Sequence, residues 1–143
     1  MILEINKSSK EHIMLLEKFV STMGNSNKSF RYFTSRSLKV IKNHISTILL
    51  ISEGIPIGYG HLDKQDSQVW FGIAIAEGFT GLGNGNIITN YLIRKSDDLK
   101  IPEIKLSVDK NNYNAILLYE KFNFSKYGEI NETLFFSRKF YQI

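Results

Sequence analysis

Three glycines at alternate positions, Gly81, Gly83 and Gly85, separate an apolar run ending at Ala76 from a second one beginning at Ile87. Glycine admits positive φ and lets a ligand approach the backbone closely. A helix that starts at such a loop presents unpaired N–H donors and the positive end of its dipole. The chemistry of that arrangement is anion binding, and successive amides can form a nest of the right size for a pyrophosphate. The loop is not a P-loop, because no Gly-Lys-Ser/Thr follows. It is not a dinucleotide fingerprint either, which needs a wider spacing and an acidic residue about 20 positions on. A plain turn would use the same glycines, so the loop alone does not decide.

Other side chains have chemistry to offer. Phe30, Arg31, Tyr32 and Phe33 group a guanidinium, which can grip a phosphate or carboxylate, with aromatic faces that suit sugar rings or bases. The plainer reading puts Phe30 and Phe33 in the core and Arg31 in solvent. His61 titrates in the neutral range, and Asp63 and Glu77 are nearby carboxylates. Tyr119 shares an apolar helical face with Ala115, Leu118 and Phe122, where a tyrosine also serves as core. Asn112, just before that face, reads equally as a helix cap.

The elements that must position these residues follow from periodicity. Met1 to Lys7 alternates as a short strand. Ser8 and Glu11 form a capping box for a helix that keeps Ile13, Leu16, Val20 and Met23 on one side and stops at Gly24. Residues 25–29 are a loop, and a shorter helix is expected from Ser35 to Asn43. Strand patterns then cover Thr47 to Ile51, Ile57 to Leu62 and Gln68 to Ala76, an antiparallel meander on short connections, with a polar stretch from Asp63 to Ser67. A helix follows from Asn84 to Leu99, then a strand from Ile104 to Val108, a helix carrying Tyr119, and a last strand from Leu134 to Tyr141. One mixed sheet with helices on its faces, α/β or α+β, accommodates this order, and residues 1–143 read as a single domain.

With 143 residues and a formal charge of +4, the chain is long enough to bury its own core and is mildly basic. The lysines are scattered, so a contiguous nucleic-acid stripe is not expected; a polyanionic small molecule explains the excess as well. The absence of cysteine rules out a thiol nucleophile, a thiolate metal site and a disulfide. No signal peptide and no apolar run of about 18 residues is present, so a cytoplasmic protein without membrane partner is expected.

Val108, Asn112, Ala115, Tyr119, Glu120, Lys121 and Phe124 follow the glycine loop by one helix and one strand. Loop and segment together resemble the GNAT superfamily of acetyl-CoA-dependent N-acetyltransferases, whose V-x-x-x-N-x-x-A-x-x-x-Y-E-K-x-G-F signature these residues match. The resemblance covers Ile48 to Phe124. Two positions depart from it: Thr80 stands where the family's loop opens on Gln or Arg, and Asn123 replaces the glycine before Phe124.

The resemblance implies a GNAT fold: a mixed, largely antiparallel sheet with splayed central strands and helices on both faces. It implies that Thr80, Gly81, Leu82, Gly83, Asn84, Gly85 and Asn86 hold the coenzyme A pyrophosphate. Backbone N–H groups near Ile73 and Ile75 would pair with the pantetheine arm and polarise the thioester carbonyl. Asn112 would contact the cofactor, and Tyr119 would contact it and protonate the leaving thiolate. His61 is the favoured base, ahead of Asp63 and Glu77, and Phe30, Arg31, Tyr32, His61 and Glu77 would face the acceptor. The expected activity is transfer of acetyl from acetyl-CoA to a primary amine of a small molecule, a nucleotide-linked amino sugar in particular, by direct attack in a ternary complex and without a metal. The alternatives are a protein N-terminal or lysine acetyltransferase and a non-catalytic acetyl-CoA-binding module. A homodimer through the last strand is one further option.

Overall fold

The computed structural model describes residues 1–140. Its strands join in one seven-stranded sheet, ordered β1-β2-β3-β4-β5-β7-β6. In chain order the elements are β1 (Ile2–Glu4), α1 (Lys10–Ser21), β2 (His44–Ser52), β3 (Ile55–Gln65), β4 (Gln68–Ile75), α2 (Asn84–Asp98), β5 (Glu103–Asp109), α3 (Tyr113–Lys121), β6 (Ser125–Ile130) and β7 (Thr133–Lys139). All neighbouring strands are antiparallel except β4 and β5, which run parallel and pair only at Trp70 and Lys105. Beyond that bridge they separate, as the splayed strands of the expected fold require.

Strand alternation gives the sheet two apolar faces, and each is covered. On one, Ile48, Leu50, Leu62, Phe71 and Leu106 pack with Ile88 and Leu92 of α2 and Tyr119 of α3. On the other, Leu49, Ile51, Tyr59 and Ala74 pack with Leu16 and Phe19 of α1, and Phe30, Phe33 and Leu38 extend that cover. Gly58 and Gly60 on β3 let α2 come down onto the sheet: a Cβ on Gly60 would lie 2.6 Å from Ile88 Cγ2 and 2.8 Å from Leu92 Cδ1.

Several boundaries differ from the sequence expectation. Helix α1 is capped by Ser9, whose hydroxyl accepts from the His12 N–H at 3.2 Å, and not by Ser8. The Asn6 carboxamide takes the Ser8 N–H at 2.9 Å, and that local turn delays the helix by one residue. In place of a helix from Ser35 to Asn43 there is a 3-10 segment at Leu38–Asn43, and a second one, Gly24–Lys28, stands where a loop over 25–29 is expected. Strand β3 runs on to Gln65, so Asp63 belongs to the strand and not to the turn. Strand β6 has no fully buried position and therefore no apolar alternation to reveal it; backbone pairing to β7 holds it at the sheet edge. The final strand ends at Lys139, and Tyr141 lies outside the described residues. Asn123 adopts φ +70°, the left-handed turn after α3 that a glycine would otherwise supply.

The close approach of α2 to β3 has a measurable consequence. Gly60→Ala is expected to destabilise the protein by about 1–3 kcal/mol through overpacking, read as a lowered thermal unfolding midpoint.

Candidate functional site

The separation of β4 from β5 opens a cleft of about 840 Å³. Antiparallel strands turn the N–H and C=O of alternate residues to opposite sides. The Ala76 N–H binds the Ile57 carbonyl of β3 at 2.9 Å, so Ala74 and Gly72 also face β3. The N–H groups of Ile73 and Ile75 therefore face the gap that β5 has left. Both residues line the cleft. An extended thioester arm laid along β4 would find these donors unused by the sheet.

At the wide end of the gap stands the glycine loop. Gly78, Gly81 and Gly83 have φ of +92°, +73° and +84°, and a Cβ at Gly81 or Gly83 would point into open space. Gly83 is the left-handed N-cap of α2 and supplies no side-chain acceptor, so the first amides of the helix are left for an anion. Thr80, Gly81, Gly83, Gly85 and Asn86 line the cleft. Leu82 does not: its side chain is 68% exposed, and only its backbone follows the loop. The Asn84 side chain turns back to donate to the Phe79 carbonyl at 3.0 Å and braces the loop from within. At Gly85 a Cβ would meet Leu118 Cδ2 at 3.2 Å, so this glycine also sets the approach of α2 to α3. These features fit a pyrophosphate.

Tyr119 and Asn112 line the same cleft. The Tyr119 ring is buried edge-on to Phe71 and Phe124, and burial raises the phenol pKa above its ordinary value. Its hydroxyl has no hydrogen-bond partner among the described residues. The Asn112 carboxamide oxygen faces the Ala115 N–H at 3.4 Å, so it caps α3 while bordering the cleft.

The other end of the cleft is polar and lies under the 29–37 loop. Here the structure gathers residues that the sequence leaves apart. The Tyr32 hydroxyl donates to Asp63 Oδ2 at 2.8 Å and lies 2.8 Å from His44 Nε2. His44 Nδ1 is 2.7 Å from the Thr47 hydroxyl, and the Gln65 carboxamide donates to Asp63 Oδ2 at 2.8 Å. His61 Nδ1 is 2.6 Å from the Tyr59 hydroxyl. Phe30 tilts over His61 with ring centroids 6.1 Å apart, and Tyr32 does so at 4.4 Å. Nothing in the sequence marks His44 or Thr47 as members of this group; the β2–β3 register, which places Thr47 beside His61 and His44 beside Asp63, assembles it.

The structure bears on three of the expected acceptor-side residues. His61 borders the cleft, but burial, followed by the neighbouring His44 and Arg36, lowers its pKa well below the ordinary histidine value. A neutral imidazole of that kind is a weak acceptor for the proton of an ammonium group. Glu77 does not line the cleft; it takes the Asn25 N–H at 3.2 Å and the Asn25 carboxamide at 2.6 Å, which fastens the loop after α1 to the end of β4. Arg31 lines the cleft, with its guanidinium forked onto Asp109 at 3.0 and 3.1 Å. A second guanidinium on the cleft is Arg36, a residue the sequence does not single out. It stacks 4.5 Å above the Tyr32 ring, gives one bond to the Tyr32 carbonyl at 3.0 Å, and lines the cleft.

Among the described residues no group of acidic, histidine or cysteine side chains has metal-binding geometry, and no helix is long and apolar enough to cross a membrane. Comparison with known proteins adds the following. The model of the acetyltransferase (GNAT) family matches residues 13–124. No curated protein matches the chain in sequence. Among solved structures, the PaiA N-acetyltransferase from Thermoplasma acidophilum in complex with coenzyme A superposes with a TM-score of 0.73 at 15% identity, over 98% of this chain and 99% of the other. The ribosomal-protein-S18-alanine N-acetyltransferase from Escherichia coli gives 0.73 at 12% identity, over 100% and 95%. The Campylobacter jejuni N-acetyltransferase PseH in complex with acetyl coenzyme A gives 0.65 at 22% identity, over 97% and 99%. At these identities the superpositions establish a shared fold.

The buried histidines make stability depend on pH. Burial lowers the His44 pKa to about 4, against the opposing pull of Asp63, and His61 moves the same way. The unfolded chain therefore binds protons that the native protein refuses, so their contribution is intact above the unfolded value of 6.5 and lost as pH falls toward about 4. The urea midpoint is expected to decline across that window, and less steeply in a His44→Gln variant.

Proposed function

Because the chain belongs to the GNAT acetyltransferase family, whose acetyl donor is acetyl-CoA, we propose that it acetylates a primary amine of a small, anion-bearing molecule by direct attack within a ternary complex. The observation that carries this reading is one cleft that runs from the glycine loop to a polar end under aromatic rings. The donor supplies an activated acetyl group as a thioester. The backbone amides from Gly81 to Asn86, with Thr80 beside them, hold its pyrophosphate at the start of α2. The Ile73 and Ile75 N–H groups align the arm and polarise the carbonyl where negative charge develops. Tyr119, which borders the cleft, would give its proton to the departing sulfur. Asn112 borders the donor by way of its cap. The absence of cysteine removes an acyl-thiol relay and favours direct attack.

On the acceptor side, Phe30, Tyr32 and Trp70 provide flat walls, and Arg36 provides the anion grip first assigned to Arg31. Flat walls with a guanidinium suit a nucleotide-linked amino sugar. The family also includes enzymes that act on proteins, and the Escherichia coli neighbour is named for a ribosomal protein. An extended peptide would need an open groove, whereas the 29–37 loop closes this end and Arg31 bridges to Asp109. The protein-acetylating reading is accordingly second.

The test is calorimetry with acetyl-CoA and coenzyme A, followed by thiol release against nucleotide-linked amino sugars, amino acids and N-terminal peptides. Micromolar donor binding and turnover on an anionic amino compound are expected. Turnover on peptides alone would favour the second reading, and binding without turnover a non-catalytic module. Tyr119→Phe is expected to lower kcat by about 100-fold or more while leaving coenzyme A affinity unchanged.

A further inference from the structure

The acceptor end holds a carboxylate with one oxygen unused. Asp63 lines the cleft yet is only 1% exposed. Its Oδ2 receives both the Tyr32 hydroxyl and the Gln65 carboxamide. Its Oδ1 has no hydrogen-bond partner, and the nearest cationic candidate, His44 Nε2, is 4.0 Å away and kept neutral by burial. A buried carboxylate normally has each oxygen hydrogen-bonded or paired with a cation, and an orphaned one is costly. The groups around it are Tyr32 and Arg36 from the loop, His44 from β2, His61 and Gln65 on its own strand, and Trp70 opposite on β4. Arg36 stacks on the Tyr32 ring and makes no bond to Asp63 among the described residues.

We propose that Asp63 seats the acceptor's ammonium group on Oδ1 and takes one of its protons. The proposal rests on the reading of the cleft as an amine acetyltransferase and names the group that reading leaves open. The ammonium nitrogen must shed two protons to become an amide. The first passes to Asp63 Oδ1, freeing the lone pair that forms the C–N bond as the C–S bond breaks. The second goes to the departing sulfur, either directly or by restoring the proton that Tyr119 gives to it. The proton on Asp63 leaves to solvent when the product departs. Tyr32 connects the two ends of the acceptor site, since its hydroxyl fixes the carboxylate and its ring carries Arg36. The preferred acceptor is therefore an amine that carries an anionic group within reach of Arg36.

The test separates this claim from the wider reading by measuring cation binding without turnover. The protein is loaded with free coenzyme A and titrated with propylammonium chloride and, separately, with the neutral isostere 1-propanol, followed by ligand-observed NMR. Propylammonium is expected to bind the wild type at least about tenfold more tightly than 1-propanol, and Asp63→Asn is expected to abolish that preference while leaving coenzyme A affinity unchanged. A preference that survives in Asp63→Asn overturns the proposal. If that variant does not fold, the wild-type Asp63 carboxyl ¹³C resonance decides: it must move with propylammonium and not with 1-propanol, and a static resonance overturns the assignment. Failure to bind coenzyme A would instead defeat the acetyltransferase reading itself.

Discussion

A single parallel bridge, Trp70 to Lys105, is the constraint from which the site follows. Were β4 and β5 paired along their length, the Ile73 and Ile75 amides would be spent on the sheet and no cleft would lie between the strands. Because the strands part after one contact, β4 keeps its outer donors, α2 begins over the gap with its first amides bare, and α3 brings Tyr119 to the same opening. The sheet tolerates the loss because both its faces remain covered, by α2 and α3 on one side and by α1 and the 29–37 loop on the other. What would be a defect in a purely structural sheet is here a row of backbone donors with nothing else to bind.

The cleft also joins two unlike environments. The donor end is built from backbone, glycine amides and a strand edge, and depends little on side-chain identity, which is why Thr80 can stand where a longer side chain was expected without removing the amides. The acceptor end is built from side chains. Tyr32, His44, Thr47, Tyr59, His61, Asp63 and Gln65 are linked pairwise by short hydrogen bonds under two aromatic rings. Such a group is rigid when satisfied, and here one carboxylate oxygen is left out.

Much of this was legible in the sequence. The glycine spacing, the helix after it and the Val108 to Phe124 signature are local patterns, and local patterns survive as written: Asn123 takes the left-handed turn and Tyr119 reaches the cleft. The acceptor end was only half legible. Tyr32 could be placed near the acceptor, but its partners His44 and Asp63 lie 12 and 31 residues away and meet it through strand register, which composition does not encode. The partners of Arg31 and Glu77, Asp109 and Asn25, are 78 and 52 residues distant, and no local pattern announces them. Strand β6 is silent for a simpler reason: an edge strand without a buried face carries no apolar rhythm.

Gly72 sits opposite His61 in the β3–β4 register, and a Cβ there would come within 2.5 Å of the imidazole Nε2. The two positions share one volume, so the histidine exists at 61 only because its neighbour has no side chain. In relatives of this chain the sizes of these two residues should vary inversely. A larger residue at 72 would accompany a smaller one at 61, and that pair of positions would record whether a lineage kept a ring at the floor of its acceptor site or exchanged it for room.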